Sequence, residues 1–284
     1  MENKKLLVTG STGFVGKHLV LELKKQGYEI FAFAHSPEDD ICDKNAFDKF
    51  KSQGISTVFH LAGKTFVPQS WENPGCFYEI NTFGTQNVLD FCRETGASMI
   101  YVSAYVYGIP QYLPIDEKHP VNPNNPYAHS KYLAEELCRF YSENFGVKTT
   151  ILRPFNLYGD GQRENFLIPS ILKQLNEKNE ITVNDLEPKR DYLHINDFVN
   201  ACILTVNAKE KFKIYNVGSG FSFSVKDIIE IIEKIRGKEI DYMCLNQKRK
   251  SEIPDTRSNC TLLINDFHWS PKFCLKDYLK KHLI

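Results

Sequence analysis

Two patterns of apolar residues alternate along the first half of the chain. Short apolar runs, such as residues 5–9, predict buried strands, and longer segments with helical periodicity, such as residues 127–145, predict helices. Strands are predicted at residues 5–9, 28–34, 57–61, 98–103 and 148–153, and helices at residues 13–26, 45–53, 77–95 and 127–145. This alternation predicts an α/β fold, a Rossmann-type doubly wound parallel sheet with helices on both faces.

Beyond Arg153 the alternation of predicted strands and helices continues but is less regular. Helices are predicted at residues 166–177, 195–206 and 224–236, and strands at residues 190–194 and 213–217. Ser224 is a suitable N-cap for its helix, with Asp227 three residues further on. The polar, charged segment 177–190 predicts a surface flap.

The chain has no internal repeat and no linker rich in proline or glycine, so its two parts are expected to interleave. We expect a dinucleotide-binding Rossmann domain from residues 1–153 and 190–210. A smaller α/β lobe for the substrate is expected from residues 154–189 and 211–284.

Charge and cysteine content exclude several classes of protein. The 284 residues include 35 basic and 35 acidic ones, and this balance argues against nucleic acid as a partner. The first apolar run ends at Thr9 and Gly10, too soon for an export segment, and no stretch is long enough to cross a membrane. The eight cysteines form no C-x-x-C pair, so we expect reduced thiols in a cytoplasmic protein and no metal.

A glycine-rich turn follows the first strand. Gly10 permits the tight turn, Gly13 lets the backbone approach a pyrophosphate, and Gly16 lets the next helix pack closely on the sheet. The N-terminus of that helix offers free N–H groups and a partial positive charge to phosphates. Because a strand precedes the turn and a helix follows it, the segment predicts dinucleotide binding rather than a plain connection.

The end of the second strand bears on which dinucleotide is bound. An acidic residue there holds a free ribose 2′-hydroxyl and marks NAD. Residues 33–36 read Phe-Ala-His-Ser, with no acid, and His35 and Ser36 can donate to a 2′-phosphate or simply open a polar loop. We therefore expect NADP(H), with NAD(H) left open. Asp40 and Ile41 are candidates to bracket the adenine.

Tyr127 and Lys131 lie four residues apart on a predicted helix and share one face. A free tyrosine has a pKa of about 10, and a nearby ammonium favours its phenolate. Ser103 ends a predicted strand at the carboxyl edge of the sheet, where ligands bind in such folds. We expect Tyr127 and Lys131 to form a proton-transfer pair, with Ser103 holding the substrate oxygen.

Together these residues resemble the extended short-chain dehydrogenase/reductase family, over nearly the whole chain. The matching segments are Gly10-x-x-Gly13-x-x-Gly16, Ser103-Ala-Tyr-Val-Tyr107-Gly108, Tyr127-Ala-His-Ser-Lys131, Arg153-Pro-Phe-Asn156, Tyr158-Gly159 and Arg190-Asp-Tyr-Leu-His194. The resemblance implies a nucleotide-diphosphate sugar as substrate and a homodimer built on helices 77–95 and 127–145.

The resemblance also implies roles for single residues. Asn81 would line the cofactor site, unless it caps its own helix, and Asn156, Arg190 and Arg249 would reach the diphosphate of the substrate, unless the basic run around Arg249 is simply solvated. The candidate cofactor residues are Gly10, Thr12, Gly13, Phe14, Val15, Gly16, His35, Ser36, Asp40, Ile41, Leu61, Ala62, Gly63, Asn81, Tyr127, Lys131 and Pro154. The candidate substrate residues are Thr65, Ser103, Tyr105, Asn156, Phe166, Arg190 and Arg249.

Two departures from the family pattern narrow the expected reaction. Sugar 4,6-dehydratases usually carry an acidic residue just after the serine or threonine that corresponds to Ser103. In this chain Ala104 and Tyr105 follow Ser103, which argues against a dehydratase. The short link from His35 to Asp40 is similar to the reductases of nucleotide-linked 4-keto-6-deoxyhexoses, such as the GDP-4-keto-6-deoxymannose reductases. We expect such a reductase. A nucleotide-sugar 4-epimerase with retained NAD and a cofactor-binding sensor without catalysis are the alternatives.

Overall fold

A computed structural model describes residues 4–36 and 38–283. Two compact units divide the chain. The first contains residues 4–108, 121–153 and 199–215, and the second contains residues 109–120, 154–198 and 216–283. The first unit therefore takes in residues 211–215, which the sequence assigned to the substrate lobe, while residues 109–120 and 190–198 belong to the second.

A six-stranded sheet in the order β2-β1-β3-β4-β5-β9 forms the centre of the first unit. Its strands are β1 (Lys5–Thr9), β2 (Glu29–Phe33), β3 (Thr57–His60), β4 (Ser98–Val102), β5 (Thr149–Pro154) and β9 (Phe212–Val217). β2, β1, β3, β4 and β5 pair in parallel. The four strands β1, β3, β4 and β5 are almost continuously buried, as in other parallel sheets, whereas only Phe33 of the edge strand β2 is buried. The expected doubly wound parallel sheet is confirmed.

Helices connect these strands. They are α1 (Phe14–Lys25), α2 (Val67–Glu72), α3 (Pro74–Phe77), α4 (Gly84–Thr95) and α5 (Pro126–Phe145), with α7 (Ile195–Leu204) crossing the boundary between the units. Asn125 caps α5 by accepting a hydrogen bond from the Ala128 amide at 2.9 Å. The predicted helix 45–53 is a 3₁₀ helix (Lys44–Phe50), and the predicted helix 77–95 contains a π-helical segment (Tyr78–Phe83).

The second unit contains short strands and three larger helices around a separate apolar core. Its elements are β6 (Asn156–Tyr158), α6 (Leu167–Glu177), β7 (Glu180–Val183), β8 (Lys189–His194), β10 (Ser222–Phe223), α8 (Val225–Arg236), β11 (Asp241–Cys244), β12 (Asp255–Thr256), α9 (Thr261–Phe267) and α10 (Leu275–Leu283). Ser224 and Asp227 form a complete capping box at the start of α8, which confirms the predicted cap.

The predicted surface flap at 177–190 is wrong. That segment contains β7, which pairs in parallel with β11 about sixty residues further along the chain. Ile181 and Val183 are buried and belong to the core of the second unit, while Glu180 and Thr182 are exposed. The alternation of polar and apolar residues is short, and the charged flanks obscure it.

Among residues 4–36 and 38–283, no helix is long and apolar enough to span a membrane. No group of three or more metal-ligating side chains occurs in this part of the chain. All eight cysteines are free thiols.

Candidate functional site

In the glycine turn between β1 and α1, backbone segments lie so close together that side chains would not fit between them. A Cβ atom on Gly16 would lie 2.1 Å from the Gly10 carbonyl oxygen, so only glycine fits there. Gly10 itself has φ +68° and lies against the backbone of Ala62, just beyond β3. Gly13 caps α1 without any side-chain hydrogen bond. The first amides of α1 are therefore available to an anion, and these residues fit the pyrophosphate of a dinucleotide.

The carboxylate of Asp39 reaches the end of β2, although it lies six residues beyond that strand in sequence. The Ala34 amide donates to Asp39 Oδ2 at 3.3 Å, and the Ser36 hydroxyl accepts from the Asp39 amide at 3.1 Å. The side chain of His35 is exposed. The premise that no acid stands at the end of β2 is therefore corrected, because the loop folds back and supplies one.

A buried chain of hydrogen-bonded side chains connects the ends of β1 and β3, next to the glycine turn, with helix α4. The Thr9 hydroxyl lies 2.8 Å from His60 Nδ1, and His60 Nε2 lies 2.9 Å from the Thr85 hydroxyl. Burial lowers the pKa of His60 to about 3, with the charge on Lys131 acting in the same direction. His60 is therefore a neutral, structural residue at neutral pH. Leu61 and Ala62 both donate backbone hydrogen bonds to the Thr9 hydroxyl at 3.2 Å.

Asn81 joins the segment after β3 to helix α5. Its Oδ1 accepts from the Lys64 amide at 2.8 Å, and its Nδ2 donates to the Ser130 hydroxyl at 2.9 Å. A Cβ on Gly63 would lie 2.8 Å from Asn81 Oδ1 and 3.9 Å from Lys131 Nζ. Gly63, Asn81 and Lys131 therefore lie close together. Asn81 connects the segment after β3 to α5 by hydrogen bonds and does not cap its own helix.

Tyr127 and Lys131 both lie on α5, Tyr127 in its first turn. Tyr127 is half-buried, with its ring 6.3 Å from that of Phe77, and burial raises its pKa. Lys131 is buried, its ammonium stands 4.3 Å from the centre of the Tyr101 ring, and burial lowers its pKa to about 7 although Glu135 opposes this. In the protein alone, desolvation is the effect that acts on the Tyr127 phenol, and the proton-transfer role of Tyr127 and Lys131 stays a prediction.

Ser103 is buried directly after β4, and its hydroxyl donates to the carboxylate of Glu135 on α5. The same carboxylate pairs with the Arg153 guanidinium, which donates to it through Nε at 3.0 Å and through Nη2. Arg153 also donates to the Tyr107 hydroxyl at 2.9 Å. Ser103, Glu135, Arg153 and Tyr107 thus form one buried network, in which only Ser103 was anticipated as a site residue.

The remaining cofactor candidates of the first unit, and the substrate candidates Thr65 and Tyr105, are placed as follows. Thr12, Phe14 and Val15 follow Gly10 into the first turn of α1. Ile41 is buried against Gly84, and Asp40 is exposed and accepts from the Cys42 amide at 2.9 Å. Thr65 is exposed, and the Tyr105 hydroxyl donates to the Gly108 carbonyl at 2.7 Å. Their roles as ligands stay predictions.

Three substrate candidates of the second unit are related to Tyr192 on β8. Asn156 is its register partner on β6. Burial raises the pKa of Tyr192, and the charges of Arg190 and Arg249 oppose this rise only in part. Arg190 pairs with Glu252 and donates to the Ile253 carbonyl at 2.7 Å, whereas Arg249 is exposed. Phe166, the residue before α6, is half-buried, and Pro154 at the end of β5 is buried.

Two residues of interest were missed, Glu135 and Asp39. Glu135 carried a signal, since it lies four residues beyond Lys131 on the same helix and shares its buried face. Asp39 carried none, because its place beside β2 depends on hydrogen bonds to Ala34 and Ser36 that form only in the folded chain. It is one of several acids in a polar stretch.

A parallel sheet, a glycine turn at the first strand and a Tyr–Lys pair on α5 define a dinucleotide-binding protein of the Rossmann class. The chain belongs to the NAD dependent epimerase/dehydratase family, whose model matches residues 6–218. It is an enzyme family whose members use a nicotinamide cofactor.

Two similar curated proteins catalyse different reactions, one a reduction and the other an epimerisation. The GDP-6-deoxy-D-mannose reductase of Pseudomonas aeruginosa is 31% identical over 297 residues, which cover 98% of this chain and 95% of that protein. The UDP-glucose 4-epimerase of Bos taurus is 31% identical over 320 residues, which cover 94% and 92%. Among solved structures, that of RMD from Pseudomonas aeruginosa complexed with NADPH has a TM-score of 0.89 at 31% identity, covering 99% of this chain and 96% of that one. Reductases and epimerases are thus equally similar to it.

Proposed function

We propose that the protein reduces the 4-keto group of a nucleotide-diphosphate-linked 4-keto-6-deoxyhexose to an alcohol. The observation that carries this proposal is the placement of Tyr127 in the first turn of α5, one helical turn before Lys131, in a chain 31% identical over nearly its full length to a GDP-6-deoxy-D-mannose reductase. Reduction of a ketone needs a proton donor, and a tyrosine with a pKa of about 10 is protonated at neutral pH. The same two residues would also serve a nucleotide-sugar 4-epimerase, which is the alternative.

The glycine turn and Lys131 would hold a reduced nicotinamide cofactor, which would supply a hydride for the keto carbon. The carbon–oxygen double bond becomes a single bond, and Tyr127 donates its proton to the oxygen. Lys131 stabilises the phenolate left on Tyr127, since an ammonium nearby favours the charged form. Ser103 lies at the carboxyl edge of the sheet and positions the substrate oxygen.

The two units are proposed to divide the binding between them. The first unit, with the glycine turn, would hold the cofactor. The second would hold the nucleotide sugar, since Arg190 on β8 and the exposed Arg249 offer guanidinium groups, and Asn156 pairs with Tyr192 of the same strand β8. Planar guanidinium groups suit the oxygens of a diphosphate. The GDP-6-deoxy-D-mannose reductase, similar over nearly its full length, supports this class of substrate.

The test supplies a nucleotide-linked 4-keto-6-deoxyhexose with NADH or NADPH and follows nicotinamide absorbance. We expect stoichiometric oxidation of the cofactor and one 4-hydroxy sugar as product. No oxidation, together with retained NAD and interconversion of UDP-glucose and its 4-epimer, would instead establish the epimerase. That alternative is favoured by the similarity to the bovine UDP-glucose 4-epimerase.

A homodimer is proposed on helices α4 and α5 of the first unit. Phe83, Phe140 and Phe145 are large apolar residues that are 60%, 53% and 47% exposed at the start of α4 and along α5. A second copy of the chain is the proposed occupant, since paired faces of the same helices bury both apolar surfaces. Sedimentation should show a dimer that Phe140→Glu dissociates and Leu21→Glu, at an equally exposed residue of α1, does not. A monomeric wild type would contradict the proposal.

A further inference from the structure

We infer that Ser130 is a positioning residue for the reaction, because its buried hydroxyl holds the backbone of Tyr127 in the first turn of α5. The inference rests on the proposed function, in which Tyr127 donates the proton. Ser130 directly precedes Lys131 in the chain and is 0% exposed. It therefore acts through Tyr127 and not on the sugar.

The hydroxyl of Ser130 lies between two groups whose hydrogen-bonding roles are fixed. Its oxygen is 2.8 Å from the Tyr127 carbonyl oxygen and 2.9 Å from Asn81 Nδ2. A carbonyl oxygen can only accept and an amide nitrogen can only donate. The hydroxyl must therefore give its one hydrogen to Tyr127 and accept from Asn81.

The orientation of the Asn81 amide is itself determined by a backbone segment outside the helix. Asn81 Oδ1 accepts from the Lys64 amide at 2.8 Å, and Asn81 Nδ2 donates to the Lys64 carbonyl at 3.1 Å. A flipped amide would place a donor against a donor and an acceptor against an acceptor. The segment after β3 therefore fixes the donor that reaches Ser130.

The π-helical segment Tyr78–Phe83 holds Ser130 at a second point. The hydroxyl of Thr82 donates to the Ser130 carbonyl at 3.0 Å. Asn81 and Thr82 are consecutive residues of this segment, so one bonds the side chain of Ser130 and the next bonds its backbone. Single π-helical turns are rare and frequently occur at functional sites. Here the π-helical turn supplies two neighbouring bonds to the same residue of α5.

Asn81 is in turn connected to the glycine turn by hydrogen bonds of fixed direction. The Thr85 hydroxyl donates to the Asn81 carbonyl at 2.6 Å, so it accepts from His60 Nε2 at 2.9 Å. His60 Nδ1 then accepts from the Thr9 hydroxyl at 2.8 Å, at the end of β1. A continuous buried chain therefore relates the position of Tyr127 to the part of the sheet that precedes the glycine turn.

A tyrosine at the start of a helix depends on such support. Tyr127 directly follows Pro126, the first residue of α5, where the backbone amides have no partner within the helix. A proton donor must come within about 2.6–3.2 Å of the oxygen that it protonates. A displacement of about 1 Å can lower the rate about 100-fold. The Ser130 hydroxyl limits such displacement because it joins the Tyr127 backbone to a separate segment.

The test compares two buried serines of α5. Ser130→Ala should lower kcat at least about tenfold, while KM and the Kd of the reduced cofactor stay within about threefold. Ser142→Ala is the matched control, since Ser142 is 1% exposed and its hydroxyl also donates to a backbone carbonyl, that of Lys211 at 3.1 Å. Both variants should lower the midpoint of urea denaturation. Only Ser130→Ala should lower kcat, and equal values of kcat in the two variants would overturn the inference.

A double-mutant cycle tests whether Ser130 acts through Tyr127. In a Tyr127→Phe background there is no phenol to position, so adding Ser130→Ala should lower the residual kcat less than about twofold. A loss of tenfold or more in that background would show that Ser130 acts independently of Tyr127, and the inference would be wrong.

Ser130→Cys keeps the test decisive if Ser130→Ala does not fold. A thiol has nearly the shape of the hydroxyl but is a weak donor, so kcat should still fall at least about threefold. An unchanged kcat in the folded Ser130→Cys variant would overturn the inference.

The proposed reaction and the role of Ser130 can fail separately. If the wild type interconverts UDP-glucose and its 4-epimer but does not reduce a keto sugar, the proposed function is wrong. The same variants are then compared in epimerisation, for which Tyr127 is also the proposed proton-transfer residue, and the same ratios are expected. A wild type that binds cofactor but turns over neither substrate would overturn both proposals.

Discussion

The Ser103 hydroxyl donates its hydrogen bond to Glu135, one helical turn beyond Lys131 on α5. A hydroxyl has one hydrogen to donate, so Ser103 offers other groups only its lone pairs while this bond persists. It can then accept from the hydroxyl of the alcohol product. To donate to a keto oxygen, it must rotate away from Glu135. The network therefore links the position of Ser103 to the carboxylate that holds Arg153.

Glu135→Gln should destabilise the fold strongly. Arg153 and Glu135 are 3% and 2% exposed, and removing one charge of a buried pair costs about 3–5 kcal/mol because the other is left uncompensated. Urea denaturation measures the free energy of unfolding. Glu136→Gln, which breaks an exposed pair with Arg139 on the same helix, should cost less than about 1 kcal/mol. Equal losses in the two variants would show that Glu135 and Arg153 are not a tightly coupled pair.

Tyr127→Phe should abolish turnover without weakening the binding of the cofactor. Loss of a general acid lowers kcat by about 10²–10⁴-fold. Stopped-flow oxidation of the reduced cofactor measures kcat, and fluorescence titration should give a Kd within about threefold of the wild type. Tyr132→Phe, at another half-buried tyrosine of α5, is the control and should keep its turnover. Unchanged turnover in Tyr127→Phe would remove that residue from the mechanism.

Lys131→Met should change how stability depends on pH. The pKa of Lys131 is lowered from 10.5 to about 7 in the folded protein, so between these values the unfolded chain binds more protons at this residue. Stability that Lys131 confers therefore rises with pH across that range, by up to about 1.4 kcal/mol per pH unit. Below pH 7 both states are protonated and this dependence ends.

The measurement is the free energy of unfolding at pH 7, 8 and 9. The difference between wild type and Lys131→Met should grow in favour of the wild type as pH rises. Lys24→Met replaces an exposed lysine of α1 and should give a difference that does not vary with pH. A flat difference for Lys131→Met would mean that its ammonium is not desolvated.

Gly16→Ala should disrupt the cofactor site more than the rest of the fold. The added Cβ would lie 2.1 Å from the Gly10 oxygen and 2.8 Å from the backbone of Ser11, so the turn must move. We expect the Kd for the preferred cofactor to rise at least about tenfold. Gly75→Ala, where the nearest atom lies 3.9 Å from the new Cβ, should leave the Kd unchanged. Normal binding by Gly16→Ala would show that the turn does not contact the cofactor.

Much of the local structure could be predicted because it follows from local patterns. β1 has its predicted bounds, and α5 begins one residue earlier than predicted and ends where predicted. The capping box of Ser224 and Asp227 and the parallel sheet follow from rules that act within a few residues or between neighbouring apolar runs. The family, too, was identified from short motifs, and the match over residues 6–218 confirms it.

The amino-acid sequence by itself determined the order of strands and helices, the glycine turn and the face that Tyr127 shares with Lys131, since backbone propensity and side-chain periodicity are properties of adjacent residues. Tertiary structure alone decided that Ser103 bonds to Glu135, that Arg153 neutralises that acid, and that Asp39 returns to the end of β2. It also decided how far Tyr127 is buried, and this burial raises the pKa of its phenol. Each of these depends on which distant residues the fold brings together and how far it excludes water, and no local pattern encodes either.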